Sequence, residues 1–144
     1  MIRIFFRENP HITYSLFTVT YYFIHGGVIQ MEDCIFCKIA NGEIPTKLVY
    51  EDDKVAAFKD LNPEAPVHIL IVPKAHIKSA LELDEESAAV VGHIFCVAGK
   101  IARDMGFDKD GFRIVNNCGK DGGQTVGHLH FHLLAGRYMQ WPPG

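Results

Sequence analysis

No block of lysine or arginine occurs in this chain of 144 residues, whose 14 basic and 17 acidic side chains give a formal net charge of −3. A surface built to lie on duplex DNA or RNA leaves a basic stripe, so no nucleic-acid partner is expected. A long hydrophobic run is missing too. The longest uncharged apolar stretch spans residues 12–24, short of the roughly 20 residues that a membrane helix needs. No membrane partner is expected. Cysteine is scarce: Cys34, Cys37, Cys96 and Cys118 are too few, in a chain of this size, for a secreted disulfide framework. That usage fits a reducing compartment, and a cytoplasmic location is expected. Repeats and low-complexity tracts are also absent, leaving one domain long enough to bury a real core.

The first 30 residues read differently from the rest. They are rich in aromatic and β-branched residues, and Arg3 and Arg7 precede the apolar stretch as in a signal peptide. No small-x-small cleavage site follows it. Gly26-Gly27 can be encoded by a purine-rich run at ribosome-binding distance from Met31. The expectation is therefore that residues 1–30 translate a non-native leader or form an extension, and that residues 31–144 are the domain. An intact mass beginning before Met31, measured on protein from the native host, would sink the leader reading.

From Met31 the signals are regular. Residues 32–40 read as a short helix closed by Asn41-Gly42. Residues 47–50 and 55–59 read as strands joined by an acidic turn, and residues 68–73 as an apolar strand. Asp84 is expected to cap a long helix, with Val91, Ile94, Phe95, Ala98 and Ile101 at the spacing of one buried face and Gly106 as its terminator. Cys96 reads as a buried small hydrophobe there, and His93 as a partly exposed helix residue. A strand over residues 112–116, a glycine-rich loop and a histidine strand complete the domain. Strands grouped around one long helix argue for α+β with an antiparallel sheet.

The chemistry concentrates in His128-Leu-His130-Phe-His132, opened by Gly122-Gly123-Gln124-Thr125. On a strand, alternate side chains share a face, so three imidazoles stand in a row while Leu129, Phe131 and Leu133 turn to the core. Imidazole titrates near neutrality and can act as nucleophile, proton carrier or metal ligand. The glycines ahead of it let backbone N–H groups approach an anion. Asp60 and Phe58, at a strand end, suit a ribose and a base, although either alone is more often a turn cap or a core ring. Cys34-x-x-Cys37 supplies two of the four ligands of a structural zinc site. Spacing does not choose the other two among His68, His76, His93 and His128.

Together these residues resemble the histidine-triad family of nucleotide hydrolases and transferases, most closely its Hint branch of nucleoside phosphoramidases. The resemblance rests on Asp33-Cys-Ile-Phe36-Cys, Phe58-Lys-Asp60, Asn62-Pro63, Val72-Pro73-Lys74-x-His76, Gly122-Gly-Gln-Thr125, the triad and the Trp141-Pro-Pro-Gly ending. It implies a HIT-like five-stranded antiparallel sheet with one long and one short helix, and a homodimer joining two sheets. It implies a purine nucleotide (AMP/GMP-type) substrate, cleaved as a nucleoside 5′-phosphoramidate through a nucleotidyl-histidine intermediate. His130 would be the nucleophile, His132 a phosphate or ribose contact and His68 the residue orienting His130. Thr125 stands where the family usually carries Ser and keeps its hydroxyl for the phosphate or leaving group. Asn117, Gly123 and Gln124 would line the phosphate cradle. Phe36, Ile39, Phe58, Asp60 and Leu61 would form the base and ribose pocket, with Trp141 reaching the nucleotide from the tail. The Cys pair departs from the animal pattern and resembles zinc-bearing bacterial relatives, which implies a structural zinc on Cys34, Cys37, His76 and His128. Competing functions are dinucleoside polyphosphate hydrolysis and a nucleotide-binding interaction module with incidental catalysis.

Overall fold

The computed structural model describes residues 34–143; the expectations for residues 1–30 lie outside them. Five antiparallel strands form one sheet in the order β1-β2-β3-β5-β4. They are β1 (Leu48–Glu51), β2 (Val55–Lys59), β3 (Val67–Pro73), β4 (Arg113–Val115) and β5 (Phe131–Ala135), with helices α1 (Ile35–Ala40) and α2 (Ala88–Met105). The β1–β2 turn is held by Asp52, whose Oδ1 accepts from the amides of Lys54 and Val55 at 2.8 Å each.

Central strand β3 explains why the sheet has two different faces. Its odd-numbered members Ile69 and Ile71 join Ile94, Val97, Ala98 and Ile101 of α2 in the main core, with Leu129, Phe131 and Leu133. Its even-numbered members Leu70 and Val72 pack instead with Phe36, Ala40, Ala56 and Phe58 under α1. Pairing sets Leu70 opposite His132 and Ile71 opposite Phe131. Opposed residues of an antiparallel pair share a face. His68 and His132 therefore stand on the α1 side, and the α2 side is given over to burial.

Several boundaries differ from the sequence reading. The long helix starts at Ala88. Asp84 instead caps the turn before it: its Oδ1 accepts from the Ser87 amide at 2.8 Å, and its own amide donates to Ser87 Oγ at 2.9 Å. Phe95, expected in the core, is 52% exposed, and Val97 takes its place. Cys96 is likewise exposed rather than buried. The buried stripe 94/97/98/101/102 turns residues 95 and 96 outward. Gly106 ends α2 as expected, at φ +78°, with the Phe107 amide donating back to Ala102 O. The histidine strand is shorter than expected, since β5 begins at Phe131 and His128 and His130 precede it. Among the described residues, no helix is long and apolar enough to cross a membrane.

Two side-chain contacts tie outlying pieces to the sheet. His93 on α2 lies with Nε2 2.6 Å from Asp52 Oδ2, which also accepts from Tyr50 OH at 2.9 Å. Burial alone would raise the Asp52 carboxyl. The hydrogen bonds from His93, the Lys54 and Val55 amides and Tyr50 outweigh it and hold the group well below the usual carboxylate range. On the far edge, Arg113 of β4 donates to Gln140 O at 2.9 Å and so fastens the C-terminal tail.

Candidate functional site

Two clusters share the α1 side of the sheet. Cys34 caps α1 and Cys37 lies one turn on; His76 follows the exit of β3, and His128 approaches β5 from the other side. Their four donor atoms lie within 4.8 Å of one another. Cys37 Sγ is 3.2 Å from His76 Nδ1 and 3.4 Å from His128 Nδ1, which is also 3.4 Å from Cys34 Sγ. Zinc–ligand lengths of about 2.3 Å to sulfur and 2.0 Å to nitrogen give a tetrahedral S···N edge of about 3.5 Å, so the set matches a divalent-metal site in size and donor type.

His128 is fully buried. Its Nε2–H donates to Pro73 O at 2.9 Å, which fixes the tautomer and turns the Nδ1 lone pair toward the sulfurs. Burial, which outweighs the bond to Pro73, lowers the His128 pKa and favours the neutral ring a metal requires. Burial first, then Cys34 beside it, pushes the Cys37 thiol up to about 11. A thiolate at that position needs a cation next to it, which a bound metal supplies. The residues present fit the group.

The second cluster can be read proton by proton. His130 is 3% exposed. Its Nδ1–H donates to His128 O at 2.6 Å, which leaves the Nε2 lone pair free in the neutral ring. Asn116, just past β4, donates from Nδ2 to His130 O at 2.8 Å. Because His130 precedes the β4–β5 ladder, this side chain supplies a hydrogen bond that no strand partner makes. Phe36 of α1 stands edge-to-face with His130, ring centroids 5.2 Å apart, and tilted against Phe58 at 5.6 Å, walling the site from the helix side.

His68 Nδ1 accepts from the Glu64 amide at 3.1 Å, so its proton sits on Nε2. That nitrogen lies 2.8 Å from His132 Nδ1 and 3.4 Å from Asp60 Oδ2. His132 Nδ1 is thus an acceptor and its proton is on Nε2, an atom that is buried and has no protein partner among the described residues. Burial first, then the neighbouring His130 and His68, pushes the His132 pKa down to about 4, so the ring is neutral near pH 7. Asp60, His68 and His132 also group closely enough to suggest a metal. The 2.8 Å His68–His132 separation, shorter than the roughly 3.3 Å N···N edge of a tetrahedral zinc, marks a hydrogen-bonded relay instead. His68, expected to orient His130, bonds His132 instead; the His130 ring is held by the His128 carbonyl, and Asn116 holds the His130 carbonyl.

Of the other expected residues, Phe36, Phe58 and Asp60 gather on this face, and Ile39 of α1 packs against the same cluster. Asn117 is half-buried in the glycine loop, with Gly123 and Thr125 exposed along it. Leu61 and Trp141 stand apart, 94% and 82% exposed. Gln124 differs from its expected role as a phosphate donor. Its Oε1 accepts from the Gly119 amide at 3.1 Å, and its Nε2 donates to Lys78 O at 2.7 Å and Val126 O at 2.9 Å. With both ends of the amide engaged, it braces the loop. Sequence reasoning missed Asn116 and the Glu64 amide; neither carries a signal before the tertiary contacts are known.

The family model of the HIT domain matches residues 41–139. An uncharacterized HIT-like protein of Synechococcus elongatus is 51% identical over 113 residues, covering 78% of this chain and 98% of its own. The 14 kDa zinc-binding protein of Zea mays is 47% identical over 112 residues, covering 76% of this chain and 87% of that one. Among solved structures, a histidine triad protein from Clostridium difficile aligns with a TM-score of 0.75 at 57% identity, covering 78% of this chain and 97% of its own. A HIT family hydrolase from Legionella pneumophila also aligns at 0.75, with 46% identity, 78% of this chain and 100% of its own covered.

Proposed function

The chain belongs to the HIT domain family, and from that premise we propose that it is a nucleotide-binding hydrolase that cleaves nucleoside 5′-phosphoramidates of the AMP-amine type. The observation that carries this reading is the pairing of the His130 Nε2 lone pair with the His132 Nε2–H two residues on, which has no protein partner among the described residues. A binding module needs donors around a phosphate but has no use for a bare nucleophile beside them.

In the proposed reaction His130 Nε2 forms a bond to the α-phosphorus as the scissile P–N bond breaks. The departing nitrogen leaves with the bonding pair and takes up a proton as the free amine. Water then attacks phosphorus, releasing the imidazole, the nucleoside monophosphate and a proton. His132 donates to a phosphoryl oxygen, and the Gly123 and Thr125 stretch supplies further donors where negative charge gathers. Phe36, Ile39 and Phe58 border the base, and Asp60 reaches the ribose. Cys34, Cys37, His76 and His128 hold a structural zinc. The fit of the four donors and the likeness to the maize zinc-binding protein support this. When bound there, the metal would tie α1 to the segment before β5.

His130→Ala is expected to lower turnover by more than about a thousandfold while nucleotide affinity stays within a few fold. Acid-quenched wild-type protein should carry one nucleotidyl group by intact mass, and the variant none. Near-normal turnover in the variant would overturn the assignment.

A further inference from the structure

A cleft of about 670 Å³ opens between the turn that carries residues 78–82 and the glycine loop, lined by Lys78, Leu81, Glu82, Lys120, Gly123 and Thr125 among others. Its walls are fastened to each other. Gln124 bridges them, holding Gly119 on one side and the Lys78 carbonyl on the other. The Leu129 amide donates to Ile77 O at 2.6 Å, directly below. Ser79, buried, accepts from the Leu81 amide at 3.2 Å and shapes the turn. A Cβ at Gly127 would meet only the Lys78 stem, at 3.9 Å, so no side chain from that position intrudes.

The cleft shares Gly123 and Thr125 with the loop that the proposed reaction sets at the phosphate, while Phe36, Ile39 and Phe58 lie outside it. The base and the leaving group of one substrate diverge from the same phosphorus. With the base accounted for elsewhere, this space falls to the leaving group. Its lining carries two lysines against one carboxylate. Lys78 stands on one wall and Lys120 on the other, both exposed and neither ion-paired among the described residues. Glu82, the carboxylate in the lining, accepts at Oε2 from the Lys78 amide at 3.1 Å. Asp121 is on the same loop but does not line the cleft.

We propose that this cleft receives the leaving group and that Lys78 and Lys120 select leaving groups carrying an anion, a carboxylate or a phosphate. The inference rests on the hydrolase reading above and names its substrate class. Two partly solvated charges of this kind correspond to about a tenfold preference in kcat/KM over a neutral leaving group of the same length.

The test uses four phosphoramidates of AMP, made with β-alanine, phosphoethanolamine, propylamine and 1,3-diaminopropane. With the wild-type protein, at least one anionic substrate should exceed the propylamine compound about tenfold, with the diamine compound lowest. Whichever anionic arm leads identifies the carboxylate or the phosphate as the preferred group. The double variant Lys78→Gln/Lys120→Gln should level the ranking, and Lys78→Glu/Lys120→Glu should reverse it. Equal kcat/KM across the four, or a ranking that survives both double variants, overturns the inference and leaves the hydrolase reading intact. Failure to cleave any of the four overturns both.

Discussion

Asn116 holds His130 in place without belonging to the triad. Its amide holds the carbonyl of His130, while the ring of His130 is held by the carbonyl of His128. Removing the first of these bonds leaves the residue without strand partners to restrain it. Asn116→Ala is expected to lower kcat about tenfold with KM nearly unchanged, the pattern of a lost transition-state alignment; Asn116→Gln should recover part of the loss, and steady-state kinetics on the three proteins checks it. His132 carries the pH dependence. Its folded pKa, about 4, lies below the ordinary histidine value of about 6.5. The unfolded chain therefore binds the extra proton first as pH falls. Stability declines from about pH 6.5 to about pH 4 and is unaffected by this group above that range. Thermal melts across the range should show a shallower slope for His132→Asn than for the wild type. At this scale the residue types were legible in the sequence, because alternation alone assigns the three imidazoles to one face. Their tautomers were not. These depend on the Glu64 amide and the His128 carbonyl, which only the folded backbone brings within reach.

Helix α1 is six residues long, shorter than a helix that holds in water unaided. Its anchors are Phe36 and Ala40 against the sheet, and the two cysteines against His76 and His128. Metal removal should therefore act on this element first. Chelation, or Cys37→Ser, is expected to lower the melting temperature by several degrees or more and to speed amide exchange across residues 35–40, with exchange in α2 much less affected. Metal analysis of the same samples should show one equivalent of zinc lost. The cysteine spacing made half of this site visible in the sequence, but the choice among four histidines took either a resemblance or a fold. For α2 the limit was different. Val90, Val91, Ile94, Phe95, Val97 and Ala98 are apolar on more than one side, so periodicity could not decide which side faces the core. Choosing Phe95 over Val97 followed from that ambiguity, and Cys96 was misplaced with it.

For the whole molecule, the apolar side chains left outside are informative. Phe95 is exposed yet sets its ring 6.3 Å from Phe131 of β5, next to the free edge strand β4, and Phe112 stands exposed just ahead of that edge. Among the described residues β4 ends the sheet, and an edge flanked by aromatic rings is a surface a second chain can extend; we propose that the homodimer expected from the resemblance forms there. Sedimentation at micromolar concentration is expected to show a dimer, and Phe95→Glu a shift to monomer without loss of the folded circular-dichroism spectrum. The α+β class and the division into one long and one short helix were legible because burial follows simple periodicities. Which aromatic rings stay outside was not, because exposure of a particular ring is settled only when the helix has docked.

The pairing of Leu70 with His132 and of Ile71 with Phe131 also bears on how this protein fails. A slip of one residue by β5 against β3 would turn β5 over, burying His132 on the α2 side and setting Phe131 and Leu133 on the side of the site. The slipped pairing separates His132 from His68, which stays on β3. Damage to the sheet should therefore appear as a smaller population of fully competent molecules, and hardly ever as a uniform population of sluggish ones.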